Sequence, residues 1–475
     1  MKFKLGQDAN VTVVNVLKND KQIKDNKLLS SLKEKEVFQG KKNEVYVDYH
    51  PTEESTIYLG LGELENLTVD DVRKAYHKVG KTLMKYKVEE VNVDADLFEK
   101  NLEDYSKALV EGLLQSEAVF DKYLTKKKVK PTVNTVYLKE NKALDQKAVI
   151  QEMEAVYKGI TITRNLVNER AMNMYPEVLA KSAKSILEQV GVKVKVLDVK
   201  EIEKLEMEAL LSVGRGSHRH PKFIVMEYNG NPDSDEKTAL VGKGITYDSG
   251  GYSIKPSKSM DTMFCDMGGA GTVIGSMYAI AKNKVKQNVV ALVAAAENLI
   301  DGNAYKPGDI IGSMSKKTIE VLNTDAEGRL TLADALWYAK TVVKADEIID
   351  IATLTGACIA ALGNLTTGAV TNNSKLMNEV IEASKQAGEP VWQLPATDDY
   401  REMVKSDYAD LVNTSKGNGA GTITAGLFLE NFVEDTPWVH LDIAGTAYYS
   451  SARSYLPQGA TGVQVKTLYN LIKNK

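Results

Sequence analysis

The sequence has few of the residues that build disulfide frameworks and the commonest zinc sites. Only two cysteines, Cys265 and Cys358, occur in 475 residues, together with five histidines and three tryptophans. Two cysteines exclude a disulfide framework and are typical of a reducing compartment, so we expect a cytoplasmic location. The His-Glu-x-x-His and paired Cys-x-x-Cys patterns are also missing. A metal site built mainly from histidine or cysteine is therefore not expected.

The sequence also lacks long apolar runs and an excess of charge of one sign. No run of about 18 apolar residues is available for a membrane span, and residues 1–10 are too polar for a signal peptide. The net charge of −4 argues against nucleic acid as the main partner. Hydrophobic residues are 43% of the chain and charged residues 26%, as in ordinary globular proteins with a sizeable core.

Four local patterns resemble known sites and are better explained by structure. Cys265 has no neighbouring histidine to activate it, so we expect it to pack beside a site. His218 and His220 flank an arginine and precede a proline, which predicts an exposed turn. Ser249 does not stand in a Gly-x-Ser-x-Gly elbow. The glycine-rich run 268–275 does not follow a strand, and it predicts close helix packing rather than a dinucleotide loop.

Residues 1–150 combine lysine-rich segments with alternating strand-like and helical patterns. Strands are predicted at 11–17, 45–49, 91–94 and 133–138, and helices at 69–86 and 97–114. This interleaving is typical of a small α/β domain. The segment contains no catalytic cluster, and we expect it to serve assembly or regulation.

The remainder, 151–475, predicts a larger α/β domain, reached through one amphipathic helix at 145–167. A proline opens a further helix at 176–190. Strands are predicted at 192–197, 223–228, 239–241, 289–295, 317–322, 348–352 and 439–443, and helices at 268–283, 331–342, 375–387, 424–433 and 463–473. Most of these strands are continuously apolar, which indicates a sheet covered by helices on both faces.

Two short stretches carry most of the charged residues that point to chemistry. The first, 241–255, runs from a strand into Gly-Lys-Gly and contains Lys243, Asp248 and Lys255, with Asp266 shortly after it. Glycines there predict a sharp turn and close approach of other groups. Sites in α/β sheets lie beyond the carboxyl ends of strands, so these residues stand where a site is expected.

The second stretch is Asn-Thr-Asp-Ala-Glu-Gly-Arg-Leu at 323–330. In an extended segment Asp325 and Glu327 would point to the same side. Asp325 alone would equally suit the N-cap of the helix that follows. Capping does not account for Glu327, Arg329 and the lysine-aspartate loop together.

If Asp248, Asp266, Asp325 and Glu327 meet, their four negative charges need compensation. Some would protonate unless cations were present, and two divalent ions would balance them. Carboxylate oxygens suit Mg²⁺, Mn²⁺ and Zn²⁺. Lys243 is a candidate nitrogen ligand in its neutral form. That leaves Lys255 and Arg329 as fixed positive charges, which an anionic transition state would need.

With these two stretches the chain resembles the leucyl (cytosol) aminopeptidase family of two-metal exopeptidases. The octapeptide at 323–330 is similar to the family signature throughout, and 241–256 resembles its other metal-binding segment, with Tyr247 where the family often has Phe. The likeness extends through 261–269, 350–357, 421–425, 440–446 and 459–463 and covers roughly 164–475. Arg170 departs from the proline common in the family, in a loop that does not touch the metal segments.

The resemblance implies a macrodomain-like N-terminal α/β domain and a three-layer α/β/α catalytic domain with a mixed, mainly parallel sheet. It also implies a homohexamer, a dimer of trimers. The activity it implies is removal of N-terminal leucine and other neutral residues from peptides by metal-bound hydroxide, through a gem-diolate. The metals would be Zn²⁺ or Mn²⁺, with Mg²⁺ as a further candidate.

The resemblance further implies a role for each site residue. Lys243, Asp248, Asp266 and Glu327 would hold the tighter metal. Asp248, Asp325 and Glu327 would hold the exchangeable one, with the Asp325 carbonyl as a further ligand, so that Asp248 and Glu327 bridge the two.

Catalytic and substrate-contacting roles follow from the same resemblance. Lys255 would stabilise the gem-diolate, and Arg329 would hold a bicarbonate acting as general base. The residues implied to contact substrate are Met263, Thr353, Leu354 and Gly356.

Two other hypotheses use the same features. Some relatives also bind DNA, and the lysine-rich N-terminal segment would suit such a regulatory role. A two-metal phosphoesterase would share the cluster of carboxylates. Salt-dependent gel shifts test the first hypothesis, and a comparison of peptide with phosphate-ester substrates tests the second.

Overall fold

The computed structural model describes residues 1–18, 21–94, 101–127, 132–415, 417 and 419–475. Its contacts divide the chain into two compact units. The N-terminal unit comprises Met1–Tyr157 and Ser451–Gln458, and the C-terminal unit comprises Lys158–Ser450 and Gly459–Lys475.

The N-terminal unit contains, among its described residues, a six-stranded sheet in the order β1-β6-β5-β2-β4-β3. All neighbouring strands pair in parallel except β3 and β4. The strands are β1 (Lys2–Leu5), β2 (Val11–Leu17), β3 (Val45–Asp48), β4 (Ser55–Gly62), β5 (Glu90–Val93) and β6 (Thr135–Leu138). The helices are α1 (Lys21–Asp25), α2 (Lys27–Glu34), α3 (Val69–Lys85) and α4 (Leu102–Ser116).

Helix α3 shows how local sequence sets an element in this unit. The Thr68 hydroxyl accepts a hydrogen bond from the Asp71 backbone N–H, and the Asp71 carboxylate accepts one from the Thr68 N–H, each at 3.1 Å. This reciprocal capping satisfies two backbone donors and starts the helix. Val72, Tyr76 and Val79 then recur at helical spacing and are fully buried.

The predicted elements of the N-terminal unit are confirmed at 11–17, 45–49, 91–94, 133–138 and 69–86, within one or two residues at most ends. The predicted helix at 97–114 corresponds to α4, although positions 97–100 lie outside the described residues. Strands β1 and β4 were not predicted. Strand β4 is buried along almost its whole length, so its sequence shows no alternation of apolar and polar residues.

Helix α5 (Gln146–Asn168) confirms the long amphipathic helix expected at 145–167. Its buried residues Ile150, Met153, Val156 and Ile160 recur at helical spacing. The helix begins in the N-terminal unit and continues past Lys158, where the C-terminal unit begins.

The C-terminal unit contains an eight-stranded mixed sheet, in the order β15-β14-β17-β13-β9-β10-β8-β7. The four central strands, β17, β13, β9 and β10, run parallel to one another. These strands are β7 (Lys193–Leu197), β8 (Lys222–Asn229), β9 (Thr238–Asp248), β10 (Asn288–Asn298), β13 (Glu347–Ala352), β14 (Thr367–Thr371), β15 (Val391–Gln393) and β17 (Trp438–Asp442). Short strands outside this sheet are β11 (Ile310–Ile311), β12 (Ile319–Glu320), β16 (Leu411–Val412), β18 (Tyr448–Tyr449) and β19 (Gly459–Ala460).

Helices cover this sheet in two groups, which makes the unit a three-layer α/β/α structure. Helix α10 packs with α6 and α16, whereas α11 packs with α8 and α15, and both α10 and α11 contact β9. The helices are α6 (Pro176–Leu187), α7 (Val199–Lys204), α8 (Glu208–Gly214), α9 (Ser257–Met260), α10 (Gly268–Lys282), α11 (Gly328–Tyr338), α12 (Gly356–Leu362), α13 (Ser374–Ala387), α14 (Asp398–Glu402), α15 (Gly421–Glu430) and α16 (Val465–Lys473). None of the described helices has both the length and the apolar composition that a bilayer span requires.

Strand β9 corrects one prediction about the first glycine-rich stretch. The chain does not turn at Gly242 and Gly244, because β9 continues through both to Asp248. A Cβ on Gly242 would lie 2.7 Å from the Gly269 carbonyl oxygen, so this glycine lets α10 lie directly on the strand. The turn comes at Gly250 and Gly251, whose φ angles are +87° and +63°.

Candidate metal centre

Strand β9 carries the first two charged groups of the site, one at its middle and one at its carboxyl end. Lys243 and Asp248 are 3% and 1% exposed. A Cβ on Gly328 would lie 2.4 Å from Lys243 Cε, so the lysine side chain occupies the space over the first residue of α11. The missing side chain at Gly328 therefore allows the amine to reach the acidic residues.

The loop after β9 returns Lys255 to the same place. The Lys255 backbone N–H donates to the Ser249 carbonyl oxygen at 3.0 Å, which closes the turn made by the two glycines. The ammonium nitrogen of Lys255 lies 2.8 Å from Asp248 Oδ2 and 2.6 Å from Asp325 Oδ1. Lys255 thus links the two stretches that sequence analysis singled out.

The segment from Asn323 to Glu327 reaches the site by a turn. The extended conformation predicted for it is wrong, because a turn occupies Thr324 and Asp325, and the Asp325 N–H donates to Asn323 Oδ1 at 2.8 Å. Glu327 is helical, with φ −73° and ψ −34°, and stands at the N-cap of α11 without a side-chain capping bond. Asp325 does not cap that helix.

Three of the four predicted carboxylates nevertheless converge. Asp248, Asp325 and Glu327 each offer a carboxylate oxygen, and these atoms lie within 4.8 Å of one another. Asp266, just after a 3₁₀ turn at Met263–Cys265, joins them through Lys243. The Lys243 ammonium lies 2.7 Å from Asp266 Oδ2 and 2.9 Å from Glu327 Oε1.

Burial and mutual repulsion shift the pKa values of these carboxyl groups upward. Burial, reinforced by the charge of Asp248, raises the pKa of Glu327 to about 8 and that of Asp266 to about 6. The same two causes raise the pKa of Asp325. Burial alone would lower the pKa of Lys243, but Asp266, Glu327 and Asp248 outweigh it, so the pKa lies above its ordinary value. These carboxylates therefore favour the positively charged form of Lys243.

The donor set fits divalent cations. Four carboxylates face the two ammonium groups of Lys243 and Lys255, so the cluster carries excess negative charge. Glu327 Oε2 is buried, and no described residue donates a hydrogen bond to it. A buried carboxylate oxygen without a donor is costly unless a cation compensates it. Bound cations would repel the ammonium form and lower the pKa of Lys243. Its neutral amine could then be a nitrogen ligand.

Arg329 is the second residue of α11 and is 7% exposed. Its Nη1 donates to the Asn413 carbonyl oxygen at 2.7 Å, whereas its Nε has no acceptor among the described residues. Burial lowers the pKa of Arg329 to about 10. The side chain is therefore a buried cation with a free donor, which suits an anion.

The predicted substrate-contacting residues lie beside this cluster in two segments. Thr353 donates from its hydroxyl to Asp266 Oδ1 at 2.7 Å, and its carbonyl oxygen accepts from Lys243 Nζ at 2.9 Å. Leu354 and Gly356 follow in the same loop, where Gly356 is exposed and begins α12. Met263 is partly buried and begins the 3₁₀ turn before Asp266.

Three buried polar residues around the site were missed by sequence analysis. Asn298 donates to Asp248, and Asn413 accepts backbone N–H groups of Leu322 and Asn323. Asp442 accepts from the Leu354 N–H at 3.2 Å and from the Thr355 hydroxyl at 2.6 Å. Asn298 and Asp442 end strands β10 and β17, and a polar residue at a strand end was the available signal for both.

The patterns set aside as structural behave accordingly. Cys265 is buried with Val167, Phe264 and Ala460, and burial raises the pKa of its thiol to about 12. His218 and His220 are exposed. The glycine-rich run packs closely, since a Cβ on Gly275 would lie 2.2 Å from Thr163 Oγ1.

Comparison with known proteins agrees with this geometry. Residues 161–469 match the catalytic domain of the cytosol aminopeptidase family, and residues 9–127 match its N-terminal domain. The chain belongs to the cytosol aminopeptidase family.

Relatives and solved structures extend the match over the whole length. A probable cytosol aminopeptidase of Clostridium tetani is 56% identical, over 100% of this chain and 99% of the relative. Another, of Treponema denticola, is 49% identical over 94% of each. The solved structure of the bottromycin maturation enzyme BotP in complex with Mn has a TM-score of 0.89 and 29% identity, covering 98% of this chain and 99% of that one. As a member of this family the chain is a metal-dependent peptidase, which decides against the phosphoesterase hypothesis.

Proposed function

We propose that the chain is a dinuclear metal aminopeptidase that releases N-terminal leucine and other neutral residues from peptides. The observation that carries this proposal is the convergence of Asp248, Asp325 and Glu327 within 4.8 Å, with two lysines in contact with them. Family membership supports the peptidase activity, whereas the residue preference and the role of each side chain are part of the proposal.

The carboxylates of Asp248, Asp266, Asp325 and Glu327, with the Lys243 amine, would hold two divalent cations. These would be Zn²⁺ or Mn²⁺, with Mg²⁺ as a further candidate. Asp248 and Glu327 would serve both cations, as the family resemblance implies. Bound cations would polarise the scissile carbonyl and lower the pKa of the attacking water. The Mn complex of BotP supports a manganese site in a chain with this fold.

Lys255 would stabilise the negative charge that develops on the carbonyl oxygen as the tetrahedral gem-diolate forms. Its ammonium group lies between Asp248 and Asp325, so it is held in place without rearrangement during the reaction. Arg329 would hold bicarbonate through its free donor, and bound bicarbonate would supply a general base at the site.

Recognition of a free amino end would explain why only the first residue is released. The substrate α-amine would lie near Asp266, whose carboxylate is buried and oriented by Thr353. Thr353, Leu354 and Gly356 would line one side of the cleft, and Met263 would contact the substrate side chain.

The decisive experiment compares Glu327→Gln with Glu111→Gln, using leucyl-amide hydrolysis with added Mn²⁺ or Zn²⁺. Glu111 is a matched control, since it is also 1% exposed and also ion-paired, but lies in the N-terminal unit. We expect Glu327→Gln to lose activity by about 10³-fold or more, as for groups that stabilise the transition state directly. Undiminished turnover of Glu327→Gln would reject the assignment.

Two further properties are tested separately. A panel of dipeptides with each metal in turn measures the preference for the N-terminal residue. Mass measurement in solution tests the homohexamer, a dimer of trimers, that the family resemblance implies.

A further inference from the structure

Asn298 makes a link between the two stretches that carry the carboxylates. It is the last residue of β10, is fully buried and lies opposite Asp248 in the pairing with β9. Its side-chain Nδ2 donates to Asp248 Oδ1 at 2.8 Å and to the Thr324 carbonyl oxygen at 2.9 Å. One amide group thus joins the end of β9 to the residue before Asp325.

The orientation of this amide is fixed by its surroundings. Both neighbours are acceptors, so reversing the amide would set its oxygen against two other oxygens. The amide oxygen that remains, Asn298 Oδ1, is buried and has no donor among the described residues. A native structure that keeps such an unsatisfied group in its core calls for an explanation.

The contacts of Asp248 supply that explanation. Asp248 Oδ1 accepts from both the Gly250 N–H, at 2.9 Å, and Asn298 Nδ2. Its other oxygen, Oδ2, is thereby directed to Lys255 Nζ, at 2.8 Å, and so into the cluster. Gly250 and Asn298 thus both engage Oδ1, and Oδ2 faces the cluster.

We propose that Asn298 is a positioning residue that presets Asp248 and the Asp325 segment for binding divalent cations. The inference rests on the proposed function, because it assigns cations to these carboxylates. Asn298 contacts no reacting group itself. Its effect comes from holding two ligand-bearing segments in register, as partners of metal ligands commonly do.

The test measures Mn²⁺ affinity by calorimetric titration of chelator-treated protein, together with thermal unfolding. We expect Asn298→Ala to bind Mn²⁺ about 10- to 100-fold more weakly than the unaltered chain, the usual loss when a partner of a metal ligand is removed. If Asn298→Ala fails to fold, the isosteric Asn298→Asp decides, since it conserves volume but removes the amide donors.

Asn298→Asp also separates positioning from simple charge attraction. An added carboxylate would tighten Mn²⁺ binding if net charge governed the site. Loss of the bonds to Asp248 and Thr324 would weaken binding if positioning governs it, and we expect weaker binding. Equal or tighter binding by this variant would overturn the inference.

Asn288→Ala is the matched control at the other end of the same strand. Asn288 is the first residue of β10, is 7% exposed, and donates to the carbonyl oxygens of Asn231 and Ser234 at 2.9 and 2.7 Å. An 11-residue strand separates the two asparagines by about 33 Å. We expect Asn288→Ala to lower the melting temperature without changing Mn²⁺ affinity.

The outcomes distinguish this inference from the proposed function. Failure of the unaltered chain to bind Mn²⁺ would contradict the proposed function. Normal binding by the unaltered chain with equal binding by Asn298→Ala would overturn the role of Asn298 alone. An equal loss of affinity in Asn288→Ala would likewise overturn it, because the effect would then be general destabilisation.

Discussion

The two units of the chain each bury a cluster of charges, and the clusters are composed differently. In the N-terminal unit Arg73 is 2% exposed and lies 2.6 Å from Glu111 and 2.8 Å from Asp70. Burial opposes ionisation of Asp70, yet Lys74 and Arg73 hold its pKa below the usual value. In this cluster of three residues, each buried charge faces an opposite charge of the protein.

In the C-terminal unit the carboxylates outnumber the ammonium groups that face them. The pKa values of Glu327, Asp266 and Asp325 are therefore raised, where that of Asp70 is lowered. A buried ion pair that serves stability is complete by itself. A cluster with excess negative charge requires cations from outside the chain. This difference in charge balance distinguishes a candidate binding site from a structural ion pair.

Breaking the balanced cluster should cost the most stability. Arg73→Met removes the cation that lies 2.6 Å from the buried Glu111 carboxylate, and we expect a loss of about 3–5 kcal/mol in the free energy of unfolding. Urea unfolding measures it. Activity per folded molecule should not change, and the double variant Arg73→Met with Glu111→Leu should recover most of the stability. A large loss of turnover in folded Arg73→Met would contradict the structural role.

Removing one lysine ammonium group from the cluster that has excess carboxylates should slow catalysis. Lys255→Met should lower kcat by about 10²- to 10³-fold, as for loss of one preset group facing developing charge. The lysine that serves as control, Lys317, is partly buried and hydrogen-bonded to a backbone carbonyl outside the cluster. Steady-state kinetics of Lys255→Met and Lys317→Met with a leucyl substrate check this. A kcat for Lys255→Met equal to that of the control would refute the assignment.

Supplying the missing positive charge should stabilise the chain. Mn²⁺ at 100 times its dissociation constant should add about 2.7 kcal/mol to the free energy of unfolding, and a chelator should remove it. Thermal unfolding with and without metal measures the shift in melting temperature. Glu327→Gln should show a smaller shift, and a full shift in that variant would mean that Mn²⁺ binds elsewhere.

Protons should partly replace metal in the metal-free chain. The pKa of Glu327 is raised from 4.5 to about 8 on folding, so between these pH values the folded chain holds a proton that the unfolded chain has released. The stability from this group is complete below about pH 4.5 and is lost as pH rises to about 8. Melting temperatures of metal-free protein across this range should fall more steeply in the unaltered chain than in Glu327→Gln. Stabilisation by Mn²⁺ should grow over the same range, because cations compete with the protons.

The smallest effect is expected for the thiols. Burial raises the pKa of Cys265 and of Cys358 to about 12, so both are protonated near neutral pH. Iodoacetamide at pH 8 should leave activity unchanged, while the unfolded chain should take up label at both positions. Rapid inactivation would show that a thiolate belongs to the site.

The sequence predicted the members of the candidate metal centre better than the route by which the chain brings them together. Charged residues beside glycines at strand ends have no common structural use, so Lys243, Asp248 and Glu327 could be singled out. The turn at Thr324 could not, because Asn413 and Asn298 hold that segment from distant parts of the chain. Likewise Gly242 looked like a turn residue, since its need to admit α10 depends on tertiary packing.

The space over Gly328 has a consequence for how this site could change. Lys243 Nζ would lie 2.8 Å from any Cβ at position 328, and Cε only 2.4 Å from it. The two positions therefore share a single volume, and a methyl group on one displaces the amine of the other. In a library randomised at both positions and selected for activity, variants that keep lysine at 243 should carry only glycine at 328. The residues at the two positions should therefore covary.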